Sequence, residues 1–277
     1  TLSVVDLLVD DDLTVVGDLD VDGTSNLDII DVDGAANFAA DVTIATGADL
    51  LTASAGTDNV RIGLDAGDSI ADGGLRNILI GRNAGTAITT GDSNVAIGWE
   101  ALKTEDANGN NVAIGASALA TQNAGADAYN VAVGYNSGLS VTTGTKNTII
   151  GSSAGDALTD ADFNTSVGFG SLGFDQLGSK TTAIGYRALG TQRFATATDS
   201  FNTAVGYDAG LEVTTGLGNT LTGGLAGDAL TDADYNTVFG YNALSSDTLG
   251  SRSTAIGIAA LFTQNFTTAT DSHNTAV

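Results

Sequence analysis

Short apolar runs recur along residues 59–277, and a glycine follows nearly every one. Aligned on that glycine, the repeat units begin at Asn59, Asn77, Asn94, Asn111, Asn130, Asn147, Asn164, Thr181, Asn202, Asn219, Asn236, Ser253 and Asn274. The consensus is N-[TV]-A-[IV]-G-x-x-A-[GL], with β-branched residues at unit positions 2 and 4 and a small residue between them. Because β-branched side chains favour a pleated backbone, each unit is predicted to contain one short strand that ends at the position-5 glycine.

Most units are 17 residues long, and such a period is typical of a solenoid that adds one coil per unit. Position 9 is Gly in two successive units and Leu in the next two, and this order occurs three times. Four units therefore form a higher repeat, and the octapeptide G-D-A-L-T-D-A-D at 155–162 returns 72 residues later at 227–234. We expect an all-β chain whose repeats build a parallel β-solenoid, or β-roll, of 17-residue coils.

Both faces of the predicted strands carry apolar or small residues. One face can pack inside its own coil, and the other needs a cover from outside. Because a 17-residue coil encloses little core, we expect sister chains to supply that cover in an oligomer. Asn at position 1, in eleven of thirteen units, is predicted to form a ladder in which its amide bonds to the backbone or to the next Asn. Thirteen coils at strand spacing would extend about 60 Å.

Residues 1–58 follow a different pattern. Apolar and acidic residues alternate there with period two, as in the run L-D-V-D at 19–22. Such alternation predicts strands with one solvated face, and a change of register near Ile30 indicates a turn or bulge. The segment contains no Lys or Arg, and an extended shaft holds so much negative charge more easily than a compact domain. We assign 1–58 to an acidic β-strand shaft and 59–277 to the β-roll.

The charge of the whole chain limits its partners and its chemistry. There are 9 Lys and Arg against 33 Asp and Glu, a formal net charge of −24. Nucleic acids and anionic membranes bind clusters of basic residues, so we exclude both as partners, and no apolar run is long enough to span a membrane. The absence of Cys rules out thiolate metal sites, and with His273 as the only histidine the composition argues against His-assisted nucleophilic triads and His-rich zinc sites. Paired Asp could hydrolyse glycans, but the coils vary little in length and leave no irregular groove, so we expect no enzyme.

The repeats resemble those of a known class of fibrous protein. The segments N-V-A-V-G-Y at 130–135, T-A-I-G-Y-R-A-L at 182–189 and N-T-A-V-G-Y-D-A-G at 202–210 resemble the repeats of bacteriophage tail fibres. They are also similar to the S-V-A-I-G repeats in the head domain of trimeric autotransporter adhesins. The resemblance implies a homotrimeric, left-handed parallel β-roll whose strands line the trimer interior. The segment L-T-V-V-G-D-L-D-V-D-G at 13–23 resembles the shaft segments of phage fibres.

One candidate metal site lies in the shaft. Asp18, Asp20, Asp22 and Gly23 have the opening spacing of a calcium loop, in which alternating carboxylates converge on a hard cation. The twelfth loop position is Ile29 rather than an acid, and the alternation also fits a strand with a solvated face. Structural Ca²⁺ is the only cofactor that the sequence suggests, and a solvated strand face is the favoured interpretation.

Candidate recognition residues lie on three long spacers, 120–129, 190–201 and 262–273, where the regular period breaks. Loops held on a rigid scaffold often carry recognition, although plain protruding turns would have the same sequence pattern. The candidate receptor-contact residues are Tyr129, Arg193, Phe194, Phe201, Asn265, Phe266 and His273. A separate set of aromatic residues follows the position-5 glycine and could stack on sugar rings or on one another: Trp99, Tyr135, Phe169, Tyr186, Tyr207 and Tyr241.

These patterns favour a structural and adhesive function. We expect a homotrimeric tail fibre of a phage virion that contacts other tail or baseplate proteins and a host glycan or outer-membrane receptor. A trimeric adhesin on the bacterial cell surface is the alternative. An ice-binding solenoid is a third class, but it calls for a regular Thr-x-Thr column, and Thr at position 2 gives way to Val and Ile in the early units.

Overall fold

A computed structural model describes residues 56–277, so the predicted shaft and its candidate calcium ligands Asp18, Asp20 and Asp22 lie outside the described residues. The described part of the chain is all-β and contains no helix. Its strands are β1 (Val60–Ile62), β2 (Ile78–Ile80), β3 (Val95–Ile97), β4 (Val112–Ile114), β5 (Val131–Val133), β6 (Thr148–Ile150), β7 (Thr165–Val167), β8 (Gly178–Ser179), β9 (Thr182–Ile184), β10 (Thr198–Asp199), β11 (Thr203–Val205), β12 (Thr220–Thr222), β13 (Thr237–Phe239), β14 (Gly250–Ser251), β15 (Thr254–Ile256), β16 (Thr270–Asp271) and β17 (Thr275–Ala276).

The repeats form a parallel β-solenoid, as the sequence predicts. One strand from each unit enters a 13-stranded parallel sheet in the order β1-β2-β3-β4-β5-β6-β7-β9-β11-β12-β13-β15-β17. The pairing keeps every unit in register, so that Val95 lies opposite Val112, and Thr203 opposite Thr220. The remaining short strands pair as β8 with β10 and β14 with β16, and in each pair the second strand belongs to a long spacer.

The two faces of the main sheet differ in burial. The position-3 residue at the centre of each strand points into the coil and is fully buried in most units, as Ala96 and Leu221 are. Positions 2 and 4 point outward and are half-buried or exposed. The outward face therefore displays Ile, Val and Thr to solvent, and Ile62 and Ile184 are 49% and 36% exposed.

The alternation of Gly and Leu at position 9 follows from packing inside the coils. Leu79, at position 3, fills the space beside Gly67 and Gly85, and a Cβ on these glycines would lie only 2.4 and 2.7 Å from its methyl carbons. Where position 9 is Leu, as at Leu102, the position-3 residue is Ala, Ser or Val, as at Ala96. The position-9 leucines have φ between 47° and 53°, close to the values of the position-9 glycines. The choice of Gly or Leu at position 9 therefore depends on the space left by neighbouring side chains. It does not depend on backbone conformation, because Leu takes nearly the same φ as these glycines.

Position 12 changes together with position 9. In coils with Gly at position 9, position 12 is a buried aliphatic residue, such as Leu158 or Leu230. In coils with Leu at position 9, position 12 is a polar residue, such as Asp175 or Gln192, both fully buried. Each higher repeat thus contains two coils with an aliphatic residue at position 12, followed by two with a polar residue there.

The predicted asparagine ladder is confirmed. The Oδ1 atom of Asn219 accepts a hydrogen bond from the backbone N–H of Asn236 in the next coil (2.9 Å). Its Nδ2 atom donates to the carbonyl oxygen of Ala233, 14 residues on, at 2.7 Å. The ladder is interrupted before Asn202, whose backbone N–H instead donates to the Ser200 hydroxyl at 3.3 Å. Most of the buried asparagines therefore close their own coil and satisfy a backbone donor of the following coil, whereas Asn111 and Asn236 donate to Gly109 and to the Asn219 side chain.

The position-5 glycine is required by both conformation and space. At Gly185, φ is 133°, which side chains rarely adopt, and a Cβ would lie 2.2 Å from the carbonyl oxygen of Gly206 in the next coil. The same close approach recurs from coil to coil, for example at Gly98 against Gly115. These glycines allow the chain to bend at the end of the strand while neighbouring coils stay at strand spacing.

Candidate functional site on the spacers and side columns

Buried polar side chains anchor two of the long spacers. Asp175 accepts hydrogen bonds from Gln192 Nε2 (2.6 Å) and from the backbone N–H of Phe194 (3.3 Å). Asp247 and Gln264 repeat the side-chain contact 72 residues later, at 2.5 Å. The T-Q motif shared by these spacers therefore holds them to the solenoid, and the residues that follow it are placed by buried hydrogen bonds.

The structure separates the spacer candidates into buried and exposed residues. Phe194 is only 5% exposed and Phe266 is partly buried, so both act mainly as packing residues, and we remove Phe194 from the contact surface. Arg193 and Asn265, each one residue earlier, are exposed. Neighbouring spacer residues thus point in opposite directions, and the contact surface of each spacer is narrower than its sequence suggests.

Tyr129, Phe201 and His273 belong to one column of residues. Each directly precedes position 1 of its unit, and each side chain is exposed. We call the residues at this position the flank column: Asp58, Arg76, Ser93, Asn110, Tyr129, Lys146, Phe163, Lys180, Phe201, Gly218, Tyr235, Arg252 and His273. Its non-glycine members have φ between 50° and 63°. The backbone therefore turns in the same way at every rung.

Rings and cations alternate in the flank column from Tyr129 to Phe201, and a ring and a cation follow again at Tyr235 and Arg252. Cation–π contacts place Lys146 over Phe163 (4.9 Å), Lys180 over Phe201 (5.3 Å) and Arg252 over Tyr235 (5.1 Å). Four of the nine Lys and Arg residues of the chain stand in this column. Sequence reasoning found only three members of the column, although the 17-residue step to the residue before each position 1 would have found the others.

The aromatic residues after the position-5 glycine form a shorter stack. The rings of Phe169 and Tyr186 lie 5.7 Å apart, and those of Tyr186 and Tyr207 lie 5.2 Å apart, both nearly parallel. Stacking of this kind stabilises adjacent coils by about 0.5–1.5 kcal/mol per pair beyond the area that is buried. Of the two uses that the sequence left open for this stripe, mutual packing is observed for these three rings, whose outer surfaces stay exposed.

Burial changes the acidity of several carboxyl groups. Desolvation raises the pKa of Glu105, one of whose oxygens has no hydrogen-bond partner among the described residues. Desolvation also raises the pKa of Asp156 and of Asp228, and the nearby Asp208 carboxylate raises the pKa of Asp228 further. These three carboxyl groups therefore hold their protons more readily than carboxyl groups in solvent.

Residues 56–277 contain no cluster of three or more His, Cys, Asp or Glu side chains that could hold a metal ion. The same residues include no helix of the length and hydropathy needed to cross a membrane. Comparison of the chain with protein-family models, with curated proteins and with solved structures finds no match. The functional assignment must therefore be argued from the surfaces of the solenoid itself.

Proposed function

We propose that this chain is a structural and adhesive fibre protein: a homotrimeric tail fibre of a phage virion that supports attachment to the host cell. It acts outside the cell, by mechanical support and repeated surface contacts rather than by catalysis. Its partners are two copies of itself, other tail or baseplate proteins, and a host glycan or outer-membrane receptor.

The uncovered face of the main sheet is the observation that carries the proposal. Positions 2 and 4 present β-branched and aliphatic side chains on thirteen neighbouring strands, and large side chains such as Ile150, Ile184 and Phe239 remain exposed. Long apolar surfaces of this kind are uncommon on monomers and mark interfaces. A sister chain brings an identical, equally long apolar surface and would cover the whole face, which favours a symmetric assembly.

Attachment is assigned to exposed residues outside that face. The flank column and the spacer residues Arg193 and Asn265 offer rings, cations and amides at repeated intervals. Three copies of each contact in a trimer raise the effective concentration of the remaining contacts once one has formed. Weak individual contacts are therefore sufficient for firm attachment.

Sedimentation equilibrium of the chain tests the assembly. We expect a mass of three copies, and a shift to single chains in Ile184→Lys, which places a charge on the uncovered face. Gln176→Lys, at an exposed residue outside the strands, is the matched control and should remain assembled. A single-chain mass for the unchanged protein would overturn the proposed assembly.

The location of the protein tests the function. Antibody labelling should mark purified virions and not the surface of uninfected bacteria, and the isolated protein should compete with virions for adsorption to host cells. Labelling of uninfected cells would instead support the alternative, a trimeric adhesin of the bacterial surface, which would use the same sheet face for assembly.

A further inference from the structure

Two cavities share Phe174, a residue that the sequence patterns do not single out. Each has a volume of about 240 Å³, and both are lined by Phe174 and Thr191. The first is also lined by Ser153, Asp156, Phe169 and Arg187. The second is also lined by Arg193, Glu212 and Thr214. Together they form a concave surface with exposed rings, two guanidinium groups and several hydroxyl groups, the composition of many small-ligand sites.

The three higher repeats span 59–129 (N-terminal), 130–201 (middle) and 202–273 (C-terminal). Each lining residue can therefore be compared with its counterparts at the same position of the same fold. At the position of Gly170, the N-terminal repeat has Glu100 and the C-terminal repeat has Asn242. These three residues have φ of 60°, 56° and 59°, so the backbone does not demand glycine there. A Cβ on Gly170 would make only an ordinary contact, 3.7 Å from Arg187 Cγ. The missing side chain therefore leaves the first cavity open, and its absence is not explained by folding.

Three lining residues, Phe174, Arg187 and Arg193, also have no chemical equivalent in the other two repeats. In the C-terminal repeat, the counterparts of Phe174, Arg187 and Arg193 are Ser246, Ala259 and Asn265. In the N-terminal repeat they are Thr104, Ser117 and Asn123. The middle repeat alone thus combines a glycine that leaves the cavity open, the ring of Phe174 and two arginines. Such a combination at a single place indicates a ligand site rather than a requirement of the solenoid.

The two arginines of the site favour a ligand that brings a carboxylate, beside the site's own carboxyl groups of Asp156 and Glu212. Among the described residues, neither Arg187 nor Arg193 forms an ion pair, although the chain carries a net charge of −24. Arg187 lies over the ring of Tyr186 at 6.0 Å, which orients its planar guanidinium group. Guanidinium groups bind carboxylates through two parallel hydrogen bonds. The two groups are therefore available to a ligand that brings its own negative charge.

The rings of the site favour a sugar. Phe169 and Phe174 are 55% and 62% exposed, and a flat ring offers a stacking surface for the C–H face of a pyranose. Thr191, Thr214 and the exposed carboxylate of Glu212 can bond to ligand hydroxyl groups. We propose that the cavities around Phe174 bind a sugar unit that carries a carboxylate, with its ring against Phe174 and its carboxylate on Arg187 or Arg193. This inference deepens the proposed function, on which it rests for the source of the ligand, because it names the class of host glycan.

Titration calorimetry of the full chain with carboxylated sugars tests the site. The probes are glucuronic acid, galacturonic acid and N-acetylneuraminic acid, each compared with a neutral sugar of similar size. We expect at least one carboxylated sugar to bind saturably. Gly170→Asn should weaken that binding about tenfold or more, and so should Arg187→Ala and Arg193→Asn. Each replacement is the residue of the C-terminal repeat, so the variants are expected to fold.

Asn242→Gly is the matched control in the C-terminal repeat and should leave binding unchanged. Equal binding of neutral and carboxylated sugars, unchanged binding by Gly170→Asn, or no binding of any carboxylated sugar would overturn the inference. If the chain is trimeric and competes for host adsorption while no carboxylated sugar binds, the ligand class fails and the proposed function stands. If a sugar binds at this site but the protein sediments as a single chain, the proposed fibre assembly fails instead.

Discussion

The volume match between positions 3 and 9 predicts a specific energetic coupling between Leu221 and Gly227. Leu221 is fully buried, so Leu221→Ala should lower the free energy of unfolding by about 2–5 kcal/mol, from lost burial and from the cavity that remains. A Cβ on Gly227 would lie 2.9 Å from methyl carbons of both Leu221 and Leu230. Gly227→Ala should therefore cost about 1–3 kcal/mol through crowding.

The double variant should be more stable than the sum of the two losses predicts. In Leu221→Ala/Gly227→Ala, the new methyl group enters the vacated space, so the coupling should be about 1–2 kcal/mol in the favourable direction. The backbone strain of an alanine at φ 56° is present in both the single and the double variant, so it cancels from the cycle. Urea unfolding followed by far-UV circular dichroism gives the four free energies.

A distant pair provides the control for this cycle. Gly67 adjoins Leu79 at the other end of the described solenoid, so Gly67→Ala combined with Leu221→Ala should be additive within about 0.5 kcal/mol. If the Leu221 and Gly227 substitutions were equally additive, volume exchange between positions 3 and 9 would not be the reason for the alternation of Gly and Leu.

Three further changes test other parts of the solenoid. Asn219→Ala removes the two hydrogen bonds between this side chain and the backbone and leaves buried backbone groups unpaired, so urea unfolding should show a loss of about 2–4 kcal/mol, with Thr220→Ser within about 0.5 kcal/mol as control. Glu105→Gln should raise the melting temperature at neutral pH. Because burial raises the pKa of Glu105, the unchanged chain should gain stability as the pH falls through that raised value towards 4.5. The difference in melting temperature between the two proteins should therefore close, and a difference that is constant with pH would contradict this explanation. Tyr186→Leu removes the middle ring of the stack, so the free energy of unfolding measured in urea should fall by about 1–3 kcal/mol. A fall no larger than the lost apolar area accounts for would refute the stacking contribution.

The solenoid could be predicted from the sequence because parallel coils repeat the same backbone requirements at the same interval. The position-5 glycines allow the bend after each strand, and the position-1 asparagines bond to the backbone beside them. Both requirements can be recognised from the sequence of a single unit. The order of Gly and Leu at position 9 was equally visible, but its cause was not. It depends on which side chains share a volume across neighbouring coils, as Leu79 and Gly85 do, and sequence spacing alone does not give that arrangement.

The surface residues were predicted less completely. Arg193 and Phe194 are adjacent and looked equally suitable for recognition, yet the buried carboxylate of Asp175 fixes the backbone so that Phe194 is buried and Arg193 is exposed. The cavities around Phe174 went unnoticed because their opening comes from side chains that are missing, such as that of Gly170. Comparison of the three higher repeats position by position could have revealed them from the sequence, since the fold supplies its own internal controls.

The alternation of Gly and Leu coils also has a consequence for folding. The first five positions of successive units are so similar that strand pairing alone would accept a partner from the wrong place in the chain. A chain that skipped the coil of Gly138 would bring Leu119 against Ile149, where Gly138 now leaves room for both side chains. Side-chain size thus distinguishes one coil from the next, whereas the backbone hydrogen bonds are the same in every coil. The order of side-chain sizes repeats after four coils, so the core would tolerate strand pairing that is shifted by a whole 72-residue repeat.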